Sequence, residues 1–573
     1  MHIHVVPNRG SPPTVLLRES YREGAKVRKR TLANLSSLSL AQIEAIRAVL
    51  RGEELRPVAS SFEVTASRAH GHVQVIVGAM QRLGLASLIA SKHCRERDLV
   101  LAMVAARILA PSPKLAITRW WHTTTLAEDF GVADASEDDL YAAMDWLLQR
   151  QDRIQKKLAT RHLHAGGLVL YDLSSSYFEG TTCPLAKRGY SRDGKPGTLQ
   201  VNFGLLTDGR GCPVAVSVHE GNTADSTTFM PEVQRLRTDF GIERMVMVGD
   251  RGMITQTQID EIKGLAGVDW ITALRSEGIK TLMAGGALQM GLFDERNLFE
   301  MTHPDYPGER LVACLNPELR KLRGHKRRSL LDATSRELEK VRTMVQRGRL
   351  KGKDQGEIGV RVGEVINKYK MAKHVVLDIR DSFFDFHIDE KKVAAEAALD
   401  GIYVIRTSLE EDQASAEDAV RHYKKLVLIE QAYRSLKTID LKTRPIRHYT
   451  EDRVRAHIFL CMLAYYVEWH MREAWRELLF CDEDQEAKNT RDAVAPAQRS
   501  KAALNKVHSR VLDDGSEVHS FQTLLKLLSA VVRNVCRVPR AGPDAPTFEV
   551  VTTPNAKQRR AFDLLDRMSW ESP

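Results

Sequence analysis

LVLYDLS, residues 168–174, decides the fold. Four apolar or aromatic residues run unbroken into Asp172. A short continuous apolar run after a glycine pair reads as a buried strand. An acid inside or just past such a strand must find a partner, because an unpaired buried charge costs several kcal/mol. The arrangement recurs at MVMVGD, residues 245–250, where the acid is Asp250 and Arg251-Gly252 follow. Between them, VNFGLLT and CPVAVSVHEG are two strands joined by Asp208-Gly209-Arg210-Gly211, which reads as a hairpin turn. Asp225 is placed to cap a helix running to about Asp239. A helix from about Thr255 and a strand, DWITALR, come next. Strand, helix and strand added to an open sheet make a mixed α/β layer.

Working outward, residues 276–375 break this rhythm. Between Glu318 and Lys353 there are 13 Lys or Arg against 4 Asp or Glu in a helical pattern. This is a solvated helical hairpin or a DNA-contacting one. The α/β texture then returns with FFDFHI, a helix over DEKKVAAEAAL, and the strand GIYVIRTS. A long helix is expected from about Ala416 to Lys437, capped by Ser415 with Asp418 three residues on. Upstream, residues 14–66 alternate short β-like runs with polar turns. The segment RERDLVLAMVAARILAPSPKLAITRWW is helix, turn, helix, either two packed helices or a DNA-reading pair. The domains expected are a β-containing region over 1–95 and a helical, candidate DNA-binding region over 96–165. A core follows in two parts, 166–275 and 376–475, split by a basic helical insertion at 276–375; a helical tail covers 476–573.

The chain has 573 residues, 43% of them hydrophobic, and a formal net charge of +10. That is material for several domains and favours a polyanionic partner. Seven scattered cysteines with no Cys-x-x-Cys spacing argue against a zinc ribbon or a disulfide framework and fit a reducing cytoplasm. The N-terminus has no apolar signal-peptide core, and the longest apolar stretch, Ile458–Val467, is far shorter than a membrane span.

Carboxylates on separate rigid elements that converge on one point are what two hard divalent cations need, and two such cations can carry phosphodiester transfer. Asp172 and Asp250 are the strand-end candidates. Glu430 is the third, in AEDAVRHYKKLVLIEQAYRSLKTI (416–439). Tyr423, Glu430 and Lys437 are seven apart there, close to two turns, and so line one helix face.

YDLSSSYFEG, VGDRG and the Tyr-x6-Glu-x6-Lys helix resemble, in order, the three signature segments of the DDE transposases of bacterial insertion sequences. The similarity is to the group with a Tyr-x2-Arg-x3-Glu-x6-Lys motif and an insertion before the Glu. It covers roughly residues 14–475. Leu426 stands where the motif has Arg, and Arg434, one turn past Glu430, is a candidate substitute. The resemblance implies an α/β, RNase H-like mixed sheet interrupted by the largely helical insertion. It implies that Asp172, Asp250 and Glu430 hold two Mg²⁺ or Mn²⁺ ions. Tyr423, Lys437, Arg434 and Arg251 would contact DNA. The partner implied is double-stranded DNA, as terminal inverted repeats and target, with a homodimer in the synaptic complex and no membrane. An RNase H-like nuclease without strand transfer, or a domesticated DNA-binding protein, would share the same acids or fold.

Overall fold

The computed structural model describes residues 1–53, 62–349, 355–484, 491–496, 498–538 and 546–569. The chain divides into two compact units. One is Met1–Arg68 with Val531–Thr553; the other is Ala69–Ala530 with Pro554–Pro573.

In the smaller unit, strands His2–Val6, Thr14–Glu23 and Lys26–Asn34 form an antiparallel sheet. Gly24, at φ 63°, supplies the left-handed turn of the hairpin. Helix Leu40–Leu50 starts at Ser39, whose side chain and that of Gln42 close a reciprocal capping box. Ile43 of that helix packs on Val15 and Leu35. Strand Val532–Arg537 pairs with Thr547–Val551, and the two join Glu63–Ala69 in a second sheet. The tail read as helical therefore contains two strands. Their neighbour lies more than 460 residues upstream, beyond the reach of any local pattern.

The larger unit is built on a nine-stranded mixed sheet. Gly167–Tyr177 is its central strand. On one side it runs antiparallel to Leu199–Asp208, which pairs with Pro213–Glu220 across the expected hairpin. On the other it runs parallel to Met245–Val248, which is parallel to Val268–Ala273. Ile402–Thr407 follows antiparallel, then Arg310–Leu315 and Leu298–Met301. The stretch read as a largely helical insertion thus supplies the last two strands at one side of this sheet.

The rest of that stretch is a helical hairpin, Pro317–Gln346 and Gln355–Tyr369. Leu338, Val341 and Val345 of the first helix meet Ile358, Val362 and Ile366 of the second in a satellite core. Phe383–Ile388 is a strand, as its alternation suggests. It pairs only with Val375–Arg380, and Phe384 packs into the satellite core. Arg327, within the basic run, is buried against Asp400.

The helix–turn–helix segment forms helices Arg95–Leu109 and Lys114–Trp120. Ten residues of the first helix, from Leu99 to Ile108, are buried, and Trp121 just past the second is fully buried. The first helix is core; the second buries Lys114 and Ile117 and leaves Leu115, Ala116 and Arg119 exposed. Among the described residues, no single helix is long and apolar enough to cross a membrane.

The long helix expected over 416–437 is interrupted. It runs Ala416–Lys424, breaks at Lys425, resumes as Leu426–Arg434 and ends in a π-helical turn, Ser435–Ile439. Its middle piece is tied to the sheet by Tyr433. That hydroxyl donates to the Asp172 carbonyl at 2.5 Å and accepts from the Leu205 N–H at 3.0 Å. The ring meets Phe203 edge-on at 5.5 Å. Phenylalanine at 433 keeps the ring and strands these backbone groups in a dry site. Tyr433→Phe is expected to lower stability by about 1–3 kcal/mol. Urea unfolding monitored by circular dichroism checks this, and an unchanged midpoint would show that the hydroxyl contributes nothing.

Candidate active site

Asp172 does not end its strand, as the apolar run suggested. It sits in the middle of Gly167–Tyr177, which continues through Leu173–Tyr177 paired to Leu199–Asp208. Asp250 does lie just past its strand, and the ladder register sets the two acids side by side. Leu170 pairs with Val248 in the parallel ladder. Two residues further along each chain stand Asp172 and Asp250. Side chains two apart on a strand share a face, and neighbouring strands lie about 4.8 Å apart. Burial pushes the Asp172 carboxyl up to about 7, and the charge of Asp250 adds to the shift. Asp225 acts in the same direction; Arg192 and the Leu173 N–H oppose it. Asp250 is exposed, and its Oδ1 accepts from the Gly252 and Met253 N–H groups at 2.9 and 2.7 Å. Those bonds fix one carboxylate oxygen of the VGDRG turn.

Glu430 is exposed on the Leu426–Arg434 helix, whose inward residues are Ile429, Ala432 and Tyr433. Residues three apart on a helix are neighbours. Tyr433, bonded to the carbonyl of Asp172 itself, therefore brings Glu430 to the acid pair. Tyr423 reports the convergence. Its hydroxyl is pushed up to about 12, first by burial, then by the charges of Asp250, Glu430 and Asp172, while Arg251 opposes them. All three acids and Arg251 lie within electrostatic reach of one phenol.

The three acids do not bring their oxygens within 4.8 Å of one another. Among the described residues the one group of ligand-type side chains that does so is His162, Cys212 and His470, all buried. There His162 Nε2 is bonded to the Tyr466 hydroxyl at 3.0 Å, and burial lowers His162 to about 4 and His470 to about 3. A wider acid triad suits two ions a few ångströms apart, each gripped from its own side. The oxygen-only donors and the raised Asp172 carboxyl fit a hard divalent cation.

The other expected contacts divide. Arg251 and Arg434 are exposed, and Arg434 lies one turn beyond Glu430 on the same side. Lys437 is buried instead. The π turn swings it inward, where Nζ meets Asp193 at 2.6 Å and donates to Ser174 Oγ at 3.0 Å. Asp193 also holds Arg444. Lys437 is thus committed to an internal ion pair. Leu426, at the motif's Arg position, packs against the hydrophobic core.

Arg192 was not singled out by sequence. It pairs with Asp225 and helps hold Asp172 down. Asp225 is the first residue of helix Asp225–Thr238; the cap position is Ala224, so its carboxylate is free for Arg192. A cavity of about 280 Å³ lies between Tyr190–Arg192 and the Gly221–Asp225 turn. Gln200 and Asn202 brace that turn by donating to the Gly221 and Thr223 carbonyls at 2.7 and 3.0 Å. Of this wall the sequence marked only Asp225, as a cap; its partner loop, around Arg192, carries no periodicity.

The raised Asp172 has a consequence for stability. The unfolded chain ionises this group near pH 4, while the fold holds its proton to about pH 7. Stability of the metal-free protein therefore falls as pH rises between those values. Asp172→Asn removes the ionisation. It is expected to match the wild type near pH 4 and to exceed it by about 2–4 kcal/mol at pH 8 in chelator. Denaturant titrations at the two pH values check this; equal stabilities at pH 8 would contradict the raised carboxyl.

The sequence model for the transposase DDE domain matches residues 168–467, more than half the chain, and the IS1634 family transposase N-terminal domain matches residues 3–59. No curated protein sequence matches. Among solved structures, one similar chain is the piggyBac transposase in a synaptic complex with hairpin DNA. It has 9% identity, covering 80% of this chain and 77% of that one, with a TM-score of 0.33, too slight a likeness to define the fold. The DDE match spans both aspartates and the Glu430 helix, and with it the chain belongs to the insertion-sequence DDE transposases, a family that generally uses divalent metal ions.

Proposed function

We propose that this transposase cuts DNA at the terminal inverted repeats of its insertion sequence and joins the ends to target DNA. The observation that carries this reading is the convergence of two aspartates on neighbouring strands of the sheet and a helix glutamate around Tyr423. Asp172, Asp250 and Glu430 would hold two Mg²⁺ or Mn²⁺ ions. Bound there, such ions supply an activated water or 3′-hydroxyl and stabilise the leaving oxygen. The protein's own share is positioning. The ladder sets Asp172 beside Asp250, and the Gly252 and Met253 N–H groups orient the Asp250 carboxylate. Tyr433 holds Glu430 over the sheet. Arg251 and Arg434, exposed beside the acids, are suited to grip the phosphates on either side of the cut.

The strand order supports an RNase H-like core, in which a three-stranded antiparallel meander continues into two parallel strands. Synapsis of two ends implies a homodimer on double-stranded DNA, acting in the bacterial cytoplasm at the nucleoid.

Asp172→Asn, Asp250→Asn and Glu430→Gln are each expected to lower Mg²⁺-dependent cleavage of end DNA by about 10²–10³-fold or more, with DNA affinity unchanged. Gel assays on labelled end duplexes read both. Normal nicking by any one variant removes that residue from the site. Pre-cut ends offered with target DNA separate joining from simple hydrolysis, and hydrolysis without joined product would make the protein a nuclease.

A further inference from the structure

The hairpin Thr14–Glu23 and Lys26–Asn34 of the N-terminal unit has two unlike faces. Side chains alternate along a strand. Val15 and Leu17 point to the side covered by helix Leu40–Leu50. Glu19, Tyr21 and Glu23 continue that face. Its acids are already taken: Glu19 pairs with Arg30 at 2.9 Å and Glu23 with Arg28 at 2.6 Å. The register puts Arg18 opposite Thr31, Ser20 opposite Lys29 and Arg22 opposite Val27 on the other face. Among the described residues, Arg18, Arg22 and Lys29 have no ion-pair partner, and no acid shares their face. All nine residues of Lys26–Asn34 are exposed. The neighbouring strand His2–Val6 covers only Thr14–Arg18, so among the described residues the hairpin from Glu19 to Arg30 projects as a free two-stranded ribbon.

We propose that this ribbon is a duplex-DNA-binding element, entering the major groove with Arg18, Arg22 and Lys29 toward the phosphates and Ser20 and Thr31 toward the groove floor. The major groove, about 12 Å wide, admits a two-stranded ribbon. An unpaired basic face with small hydroxyl side chains complements a polyanionic groove, whereas on the opposite face Glu19 and Glu23 offset Arg30 and Arg28 and leave only Lys26 unmatched. The proposal rests on the reading of the protein as a DNA-processing enzyme and names the part that holds the element's end.

The test is fluorescence anisotropy of the full-length protein on a labelled duplex from the element's own end and on a scrambled duplex, across a range of salt. Arg18→Ala/Arg22→Ala/Lys29→Ala is expected to weaken end binding about 10- to 100-fold and to reduce the salt slope by about 3. Arg28→Ala/Arg30→Ala, on the paired face, is expected to stay within about threefold of wild type. Arg18→Lys/Arg22→Lys keeps the charge and is expected to retain scrambled-duplex binding, which covers the case of a triple variant that does not fold. Wild-type affinity and slope in the triple variant would overturn the proposal, as would equal losses from both faces. Mg²⁺-dependent nicking by the triple variant at saturating DNA separates this outcome from failure of the catalytic reading: intact nicking with unchanged binding sinks the ribbon alone, and ribbon-dependent binding with no cleavage sinks the catalytic reading alone.

Discussion

The Tyr433 hydroxyl is the joint on which the site depends. It sits between Gly167–Tyr177 and Leu199–Asp208, bonded to the Asp172 carbonyl and the Leu205 N–H, with the Phe203 carbonyl 3.2 Å away. A helix usually packs on a sheet through apolar side chains, which leaves its sliding position to shape alone. Here a directional bond fixes one turn of the helix to one residue of the strand, and that residue is the first acid. The far end of the helix is fixed as firmly. Ser435 donates to Glu468 at 2.8 Å, and Arg472 binds both Glu468 and Asp440 at 2.6 Å, locking the π turn to helix Glu451–Ala474.

Around this joint the electrostatics are unresolved by design. Asp172 feels Asp250 and Asp225, and Arg192, which opposes them, is already engaged by Asp225. Several buried charges in the same unit are closed off in pairs, as with Arg406 and Glu309 at 2.8 Å or Lys437 and Asp193. A carboxyl pushed up by burial and by a second acid beside it is the arrangement a bound cation would relieve.

The parts of this arrangement that were legible in the sequence are those written in local order. An apolar run leading into an acid located both strands, though only the Asp250 strand ends there while Gly167–Tyr177 runs on past Asp172, and the Asp208–Gly211 turn located the hairpin. The Glu430 helix was visible from its capping Ser415, but its break and its π turn were not. Those depend on Tyr433 reaching the sheet and on Asp193, in an aperiodic loop, drawing Lys437 inward. A seven-residue spacing assumes a straight helix, and the inward swing of Lys437 removed it from the exposed face the spacing assigned. Arg192 was invisible for the same reason as Asp193: its neighbours carry no period, and its partner Asp225 read as a cap. The pairing of Val532–Arg537 with Glu63–Ala69 is a contact of the folded chain alone.

The insertion is also less detachable than its basic helices suggested. Ile402–Thr407 lies between Val268–Ala273 and Arg310–Leu315 and bonds to both. The chain runs from that strand straight into the Ala416–Lys424 helix and on to Glu430. Arg406, in the strand, is held by Glu309, one residue before Arg310–Leu315, and by Gln256 at 2.8 Å. The third acid therefore takes its approach from a strand whose outer neighbour the insertion provides. The helices are tied in as well, because Arg327 of Pro317–Gln346 is buried against Asp400, two residues before Ile402. Cutting back to the sheet strands would expose one side of Ile402–Thr407 and loosen the path to Glu430.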